Sequence, residues 1–251
     1  MKPAIKRIIF FAVLLTVWEV GSRLGLWAQV VLPSPTNVFT ALYNGFENMT
    51  LVYDLLASFR RLAVGLAIAL ILGTSIGILI AKSKTADDTI GSMLLALQSV
   101  PSIVWLPLAI MWFGLNDQAV IFVVVLGGTF VMALNIRTGI KNVSPLYLRA
   151  AQTMGSTGID LFIRVVFPAS IPYVVTGARL AWAFAWRALM AGEILSTGPG
   201  LGYKLQWASD FGDMSMVIGI IIIIGVIGTI VDQLIFQRIE KSVARRWGLS
   251  K

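Results

Sequence analysis

The chain has 251 residues, of which 57% are hydrophobic and only 13% charged, and its mean hydropathy is +0.85. A soluble domain carries about twice that charged fraction, so the composition predicts a membrane protein. Cysteine and histidine are absent, which excludes disulfides, thiolate or imidazole metal sites, cysteine nucleophiles and Ser-His catalysis. The net charge of +8 does not indicate a nucleic-acid-binding face, because the basic residues fall between apolar segments.

Six segments are long and apolar enough to be transmembrane helices, since about 20 apolar residues cross a ~30 Å hydrocarbon core. They predict an all-α membrane protein with about six transmembrane helices. The first is longer than a signal-peptide core and no A-x-A site follows it, so we expect a retained helix. No repeat or low-complexity linker divides the chain, and we expect residues 1–251 to form a single transmembrane domain. The segments are 8–26, 62–81, 93–113, 119–136, 169–190 and 216–236.

The basic residues predict the orientation. With the N-terminus inside, fourteen of the twenty fall on the inner side and only Arg60, Arg61 and Lys204 on the outer side. The positive-inside rule therefore predicts that both termini are cytoplasmic. We interpret the basic tail, residues 238–251, as the stop signal of the last span, with binding of anionic lipid as the alternative. The inner residues are Lys2, Lys6, Arg7, Lys82, Lys84, Arg137, Lys141, Arg149, Arg164, Arg238, Lys241, Arg245, Arg246 and Lys251.

Two patterns within the spans indicate packing inside the chain. Glu19 and Arg23 are four residues apart, so they share a helix face and neutralise each other. Asp232 in the sixth span is a candidate partner for Arg179 in the fifth. The second span carries a small residue at every fourth position, which lets another helix approach closely. We expect intramolecular packing there, with a dimer interface as the alternative; the stripe is Gly65, Ala69, Gly73, Gly77 and Ala81.

Four residues are candidates for a translocation path. Pro101 and Pro107 interrupt the helical ladder of the third span, and broken helices are tolerated where they line a cavity or are buried in protein. Arg187 lies toward the outer end of the fifth span, and Glu193 lies just beyond it. Intramembrane charges are costly and often functional. An anion-attracting path is one interpretation, and structural kinks and ion pairs are the other.

A polar insert, residues 138–168, separates the fourth and fifth spans. Ser144 followed by Pro145 is a helix start, and Gly155 is suited to the left-handed stop of that helix. Thr157-x-x-Asp160 has the spacing of a capping box, which predicts a second helix start at once. The segment is thus predicted to be a helical elbow on the cytoplasmic side.

The bend of this elbow carries small side chains, namely Ala150, Ala151 and Gly155. An amphipathic helix lying on lipid is one interpretation. Small residues let another protein approach the backbone and offer little to lipid, so we favour a protein contact.

The stretch AAQTMGSTGIDLFIRVVFP, residues 150–168, resembles the EAA loop of ABC-importer permeases. Ala150, Ala151, Gly155 and Pro168 occupy positions of that motif, while Arg149 stands where glutamate is usual. The resemblance implies that these five residues form the contact through which an ATP-binding subunit drives the permease. The reversed charge at Arg149 affects the polar part of that contact.

Further stretches are similar to permeases of nitrate, sulfonate, taurine and bicarbonate importers: VLPSPTNV (31–38), ASFRRLAVG (57–65), SVPSIVWLPLAIMWFG (99–114) and WRALMAGEILSTGPGLGYKL (186–205). The resemblance implies a type I importer permease in a bacterial or archaeal cytoplasmic membrane, transporting a small anion. It implies a homodimer, two cytoplasmic ATP-binding subunits that use ATP and Mg²⁺, and an external substrate-binding protein. No cofactor is expected in this chain itself.

Two other functions need features that the sequence lacks. An ion-coupled secondary transporter favours inverted repeats and mid-membrane acids or histidines, and a membrane enzyme needs a cluster of polar catalytic groups. The phosphate-binding motif G-x-x-x-x-G-K-[ST] is also absent, so this chain is not expected to bind ATP by a P-loop. The glycine cluster at 198–202 lies on the expected outer side, where it indicates a turn or a docking loop.

Overall fold

The computed structural model describes residues 3–247, and Lys2 and Lys251 of the predicted inner set lie outside this range. The described residues confirm the all-helical prediction: they form helices and connecting turns, with no strand. The helices are α1 (Pro3–Arg23), α2 (Pro35–Glu47), α3 (Thr50–Lys82), α4 (Lys84–Gln98), α5 (Ser102–Phe113), α6 (Asp117–Lys141), α7 (Pro145–Thr153), α8 (Gly158–Ile194), α9 (Leu201–Asp210) and α10 (Met214–Arg246).

Four helices of the described chain, α3, α6, α8 and α10, are long and apolar enough to cross a membrane. The α4 and α5 helices form a pair bent by 98°, and they give a fifth span if the pair crosses as one unit. The first predicted span, residues 8–26, overlaps α1 but extends past its end at Arg23; α1 is not among these helices and carries Lys6, Arg7, Glu19 and Arg23. The spans are also longer than predicted, since helical geometry continues into the polar flanks.

The break between α4 and α5 occurs at Pro101, as the sequence predicts. Pro101 has an extended backbone, with φ −56° and ψ 133°, and a 3₁₀ turn over Ser102–Trp105 follows it. Pro107 behaves differently, because it lies in the first turn of the regular helix Leu106–Phe113. A missing N–H costs nothing there. The prediction that both prolines interrupt the span is therefore right for Pro101 and wrong for Pro107.

The described residues group into two compact units, one within 1–58 and 193–226 and the other within 59–192 and 227–251. In the first unit, Glu19 pairs with Arg23 at 2.6 Å as predicted. The Glu19 carboxylate also accepts hydrogen bonds from the backbone N–H of Thr36 at 3.1 Å and from its hydroxyl at 2.8 Å. These contacts join the end of α1 to the start of α2.

In the second unit, α6 is the central helix. About 61% of its most apolar stretch is buried, against 28% for α3. Three clusters of buried side chains include residues of α6: one with α5 and α8, one with α3 and α4, and one with α8 alone. A helix buried on most of its sides is expected to be apolar all round, which explains why the fourth span shows little polar periodicity.

The small-residue stripe of α3 packs against α6, which confirms the intramolecular interpretation. A Cβ atom placed on Gly65 would lie 2.6 Å from Val124, and one on Gly73 would lie 2.6 Å from Met132. At Gly77 it would lie 2.6 Å from the carbonyl oxygen of Ala133. The two helices therefore approach at a distance that only glycine permits at these positions.

Candidate functional site

The elbow begins where the sequence predicts. α6 ends at Lys141, and Ser144 takes the N-cap position of α7. The Ser144 hydroxyl accepts a hydrogen bond from the backbone N–H of Leu146 at 3.3 Å, and Pro145 occupies the first turn. The cap satisfies one of the N–H groups that have no partner within the helix.

α7 ends in a Schellman motif at Gly155, which confirms the predicted stop. Gly155 has a φ of +88°, a conformation that is strained for residues with a Cβ. Its N–H donates to the carbonyl of Gln152 at 2.9 Å, and the N–H of Ser156 donates to that of Ala151 at 3.0 Å. This pair of bonds defines the motif. The bend is therefore fixed by local hydrogen bonds.

The second arm of the elbow starts at Thr157, but without the predicted capping box. The Thr157 side chain makes no capping hydrogen bond. The Asp160 carboxylate instead accepts from the hydroxyl of Ser156 at 2.6 Å and pairs with Arg164 at 2.5 Å. The capping-box prediction is wrong because Ser156 and Arg164, rather than the Thr157 backbone, bind this carboxylate.

One face of α7 is apolar and open. At about 100° per residue, the side chains on this face are Leu146, Tyr147, Ala150, Ala151 and Met154. Met154 is 87% exposed and Leu146 70% exposed, so the described chain leaves most of this face open. Gly155 extends the surface, and nothing lies within 4 Å of a Cβ placed there.

The other two residues of the predicted coupling set lie at the borders of the elbow. Arg149 is exposed on the side of α7 and forms no ion pair within residues 3–247. Pro168 is half-buried and lies just after the π-helical turn Phe162–Val166, at the start of the regular part of α8. The elbow thus continues without a break into a helix of the second unit.

A second candidate feature is a groove of about 580 Å³ in the second unit, formed by α8 and the last part of α10. Arg179 is bound there by two carboxylates. It pairs with both oxygens of Asp232 at 2.7 and 2.8 Å, as the sequence suggests, and also with Glu240 at 2.6 Å. The groove is lined by Thr176, Arg179, Leu180, Trp182, Ala183, Trp186, Arg187, Gly228, Thr229, Asp232, Gln233 and Glu240.

Arg187 is the second cation that lines this groove. Its side chain is exposed, its guanidinium lies 5.6 Å from the ring centroid of Phe184, and it forms no ion pair within residues 3–247. Trp182 and Trp186 stack beside it with ring centroids 5.7 Å apart. The tryptophans and Glu240 are groove residues that the sequence analysis missed. Helical spacing could have indicated the tryptophans, because Trp182 and Trp186 lie three and seven residues after Arg179 and therefore on the same helix face. No pattern in the sequence indicates Glu240.

The other path candidates lie elsewhere in the described chain. Pro101 lines a separate cavity of about 60 Å³ that also includes Phe184, and Pro107 lines neither cavity. Glu193 is fully buried in the first unit, where it accepts hydrogen bonds from Ser58 at 2.7 Å and from the N–H of Gly202 at 3.0 Å.

Glu193 is thus part of a buried polar network at the start of α9. The N–H of Gly200 donates to Asp54 at 3.0 Å, and the N–H of Leu201 donates to the hydroxyl of Ser58 at 2.9 Å. Carboxylates at a helix N-terminus satisfy its free N–H groups and its positive dipole end. The glycine cluster at 198–202 forms the turn into this helix, and the sequence analysis gave no indication of Asp54 or Ser58.

Several apolar helices of membrane-spanning length, together with an exposed helical elbow, are typical of a membrane permease. The family model for the inner membrane component of binding-protein-dependent transport systems matches residues 49–245. The chain therefore belongs to this family. The match includes both the elbow and the groove, and residues 3–247 contain no group of acidic side chains arranged to hold a metal ion.

Named relatives agree with this family. The nitrate import permease protein NrtB of Leptolyngbya laminosa is 30% identical over 94% of this chain and 86% of its own length. The taurine transport system permease protein TauC of Escherichia coli is 30% identical over 88% of this chain and 82% of its own length. The chain is an ABC importer permease subunit and a multi-pass membrane protein.

The fold agrees as well. A solved structure of the MetNI methionine ABC transporter in an inward-facing conformation superposes with a TM-score of 0.69, at 18% sequence identity. The superposition covers 78% of this chain and 98% of the matched chain.

Proposed function

We propose that two copies of this chain form the membrane pore of an ATP-driven importer. Two cytoplasmic ATP-binding subunits supply ATP and Mg²⁺ sites, and an external substrate-binding protein delivers the solute. Both termini and the elbow lie on the cytoplasmic side, in agreement with the distribution of basic residues. The family description, with its binding-protein dependence and inner-membrane location, supports this assembly.

The observation that carries the proposal is the open apolar face of α7 next to the Gly155 bend. Leu146, Tyr147 and Met154 are 58–87% exposed although they lie on a capped helix and its C-cap. Such a face needs a partner to cover it. Ala150 and Ala151 between these side chains allow the backbone of α7 to approach a protein groove closely. Arg149 at the border of this face provides a charge for an acidic residue of the ATP-binding subunit.

The connection of the elbow to α8 supplies the mechanism. Its second arm, from Gly158, continues through the π-helical turn into the helix that carries Arg179 and Arg187. When nucleotide closes the ATP-binding subunits, the elbows move with them and tilt α8 as a rigid element. The groove then alternates between outward and inward access.

We infer that the transported solute is a small anion. The four charged side chains of the groove sum to zero, but Arg179 is bound by both Asp232 and Glu240, which leaves Arg187 as the groove cation that forms no ion pair within residues 3–247. The relatives named for nitrate and for taurine carry solutes with an anionic group. An exposed guanidinium beside stacked indole rings can bind an oxyanion by charge-assisted hydrogen bonds.

A matched pair of substitutions tests the coupling surface. Ala150→Glu places a carboxylate in the centre of the apolar face, whereas Gln152→Glu adds the same charge on the opposite side of α7, about 200° away. A charge buried without a partner at an interface costs about 2–5 kcal/mol. We therefore expect Ala150→Glu to reduce ATP-dependent uptake at least about tenfold, and Gln152→Glu to leave it within about twofold.

Gly155→Asp gives a second variant, because it strains the φ of +88° and adds a charge at the bend. It should insert into the membrane and lose uptake. Normal ATP-dependent uptake by Ala150→Glu and Gly155→Asp would contradict the assignment of the elbow as the coupling surface.

A further inference from the structure

The segment from the end of α3 to the start of α4 contacts the end of α6, just before the elbow, and the second arm of the elbow. Lys82 is the last residue of α3, and Asp87 opens the π-helical turn Asp87–Gly91 at the start of α4. One of these residues binds the helix that enters the elbow, and the other binds the arm that leaves it. All the residues concerned belong to the second unit.

Asp87 holds the entering helix by two ion pairs. One oxygen of its carboxylate accepts from Nε of Arg137, and the other accepts from Nζ of Lys141. Both cations are in the last two turns of α6, and Lys141 lies three residues before the N-cap Ser144. The Asp87 side chain is 13% exposed and its partners Arg137 and Lys141 are 28% and 40% exposed, so the contact is partly shielded from solvent.

Lys82 contacts the leaving arm. Its Nζ lies 3.6 Å from the centroid of the Phe162 ring, within the range of a cation–π interaction. Phe162 begins the π-helical turn Phe162–Val166 and also packs against Phe167. The contact therefore lies where the elbow passes into α8.

These contacts connect the elbow to helices with which it has no direct covalent link. The elbow is covalently continuous only with α6 and α8, so a displacement of the elbow reaches α3, α4 and α5 only through contacts. Lys82 and Asp87 are five residues apart on one short segment, and together they contact the second arm of the elbow and the end of α6. A displacement of that arm or of the end of α6 therefore acts directly on the end of α3 and the start of the broken span.

We propose that Lys82 and Asp87 form a clamp that transmits the motion of the elbow to α3 and α4. They are positioning residues for ATP-driven transport, and this inference rests on the proposed function. Without the clamp, the elbow still binds the ATP-binding subunit and nucleotide is still hydrolysed. The broken span then follows the elbow only through the apolar packing of α6, and more ATP is hydrolysed per solute imported.

The test uses the whole importer, purified with its ATP-binding subunits and reconstituted in liposomes with its binding protein. The measured quantity is the ATP hydrolysed per solute imported. Asp87→Asn removes both ion pairs, and Asp88→Asn is the matched control because Asp88 is adjacent, exposed and without an ion pair in the described chain. We expect Asp87→Asn to raise the ratio at least threefold, and Asp88→Asn to leave it unchanged.

Further variants test the Lys82 contact and the pairing of Asp87 with Arg137. Lys82→Gln changes an exposed side chain and keeps its stem, and Lys84→Gln is its control. We expect Lys82→Gln to raise the ratio as well, by a smaller factor. Combining Asp87→Asn with Arg137→Gln should raise it no further than Asp87→Asn alone, because both changes break the same contact.

The outcomes distinguish the two proposals. If wild-type importer couples hydrolysis to uptake and the Asp87 and Lys82 variants couple equally well, the clamp is wrong and the proposed function stands. An equal rise in the Asp88→Asn control also overturns the clamp. If the wild-type chain shows no ATP-dependent uptake, the proposed function fails and the clamp fails with it.

Discussion

The close approach of α3 and α6 predicts that replacing glycine by alanine lowers thermal stability at Gly77 but not at Gly225. In Gly77→Ala, the new Cβ lies 2.6 Å from the carbonyl oxygen of Ala133 and 2.6 Å from the Cβ of Ile136. Non-bonded carbon atoms prefer about 3.5–4.0 Å, so the helices have to separate by roughly 1 Å. In Gly225→Ala, no atom of the described chain outside its own helical turn lies within 4 Å of the new Cβ.

The matched control isolates the packing cost. Alanine gains about 1 kcal/mol of helix propensity over glycine at either site, so this gain cancels in the comparison. Overpacking a close contact costs about 1–3 kcal/mol. At about 2–4 °C per kcal/mol for a chain of this size, the Tm of Gly77→Ala should lie about 2–12 °C below that of Gly225→Ala.

The assay is thermal unfolding of the purified chain in mild detergent, followed by intrinsic tryptophan fluorescence. The Gly225→Ala variant should unfold at or slightly above the wild-type temperature. Equal Tm values for the two variants would refute the account, because they would mean that α3 and α6 do not approach closely at Gly77.

Two further predictions concern the groove and the buried network. Arg187→Gln should lower anion uptake about tenfold, since a hydrogen bond to a charged group contributes about 1.5–3 kcal/mol, whereas Arg187→Lys should retain most of it; equal uptake by both variants would mean that the charge is not used. Glu193→Ala should destabilise the chain by about 1.5–3 kcal/mol because it removes the acceptor for Ser58 and Gly202. Glu193→Gln keeps a carbonyl oxygen there and should unfold measurably closer to wild type, and the reverse order of Tm values would contradict this role.

The parts of the structure that the sequence predicts correctly depend on local chemistry. Ser144, Pro145 and Gly155 determine the start and the stop of α7 through hydrogen bonds within a few residues. The apolar spans follow from composition, because the lipid bilayer sets the length that a helix needs. The Pro101 break also follows from one residue and its missing N–H.

The parts that could not be predicted depend on contacts between distant residues. Asp87 binds side chains 50 and 54 residues away, and nothing in its own neighbourhood indicates which cations it meets. Glu193 looked like a path residue next to Arg187, yet it is buried beside Ser58, 135 residues away in the chain. At Thr157 the local pattern was present, but Ser156 and Arg164 bind Asp160 instead.

The ion pairs of the groove also depend on contacts between distant residues. Charge alone suggests Asp232 as a partner of Arg179, and the structure adds Glu240 as a second carboxylate on the same guanidinium. With both carboxylates bound to Arg179, Arg187 is the groove cation that forms no ion pair within the described chain. The difference between the two arginines is therefore visible only in the folded structure.

The central claim, that this chain works as the permease of an ATP-driven importer, is tested most directly by purification of the tagged chain from its own membranes in mild detergent. The account predicts that an ATP-binding subunit with a P-loop co-purifies at one copy per permease chain, and that Ala150→Glu abolishes this association. If the chain purifies alone and still transports its solute when reconstituted without ATP, the account is contradicted.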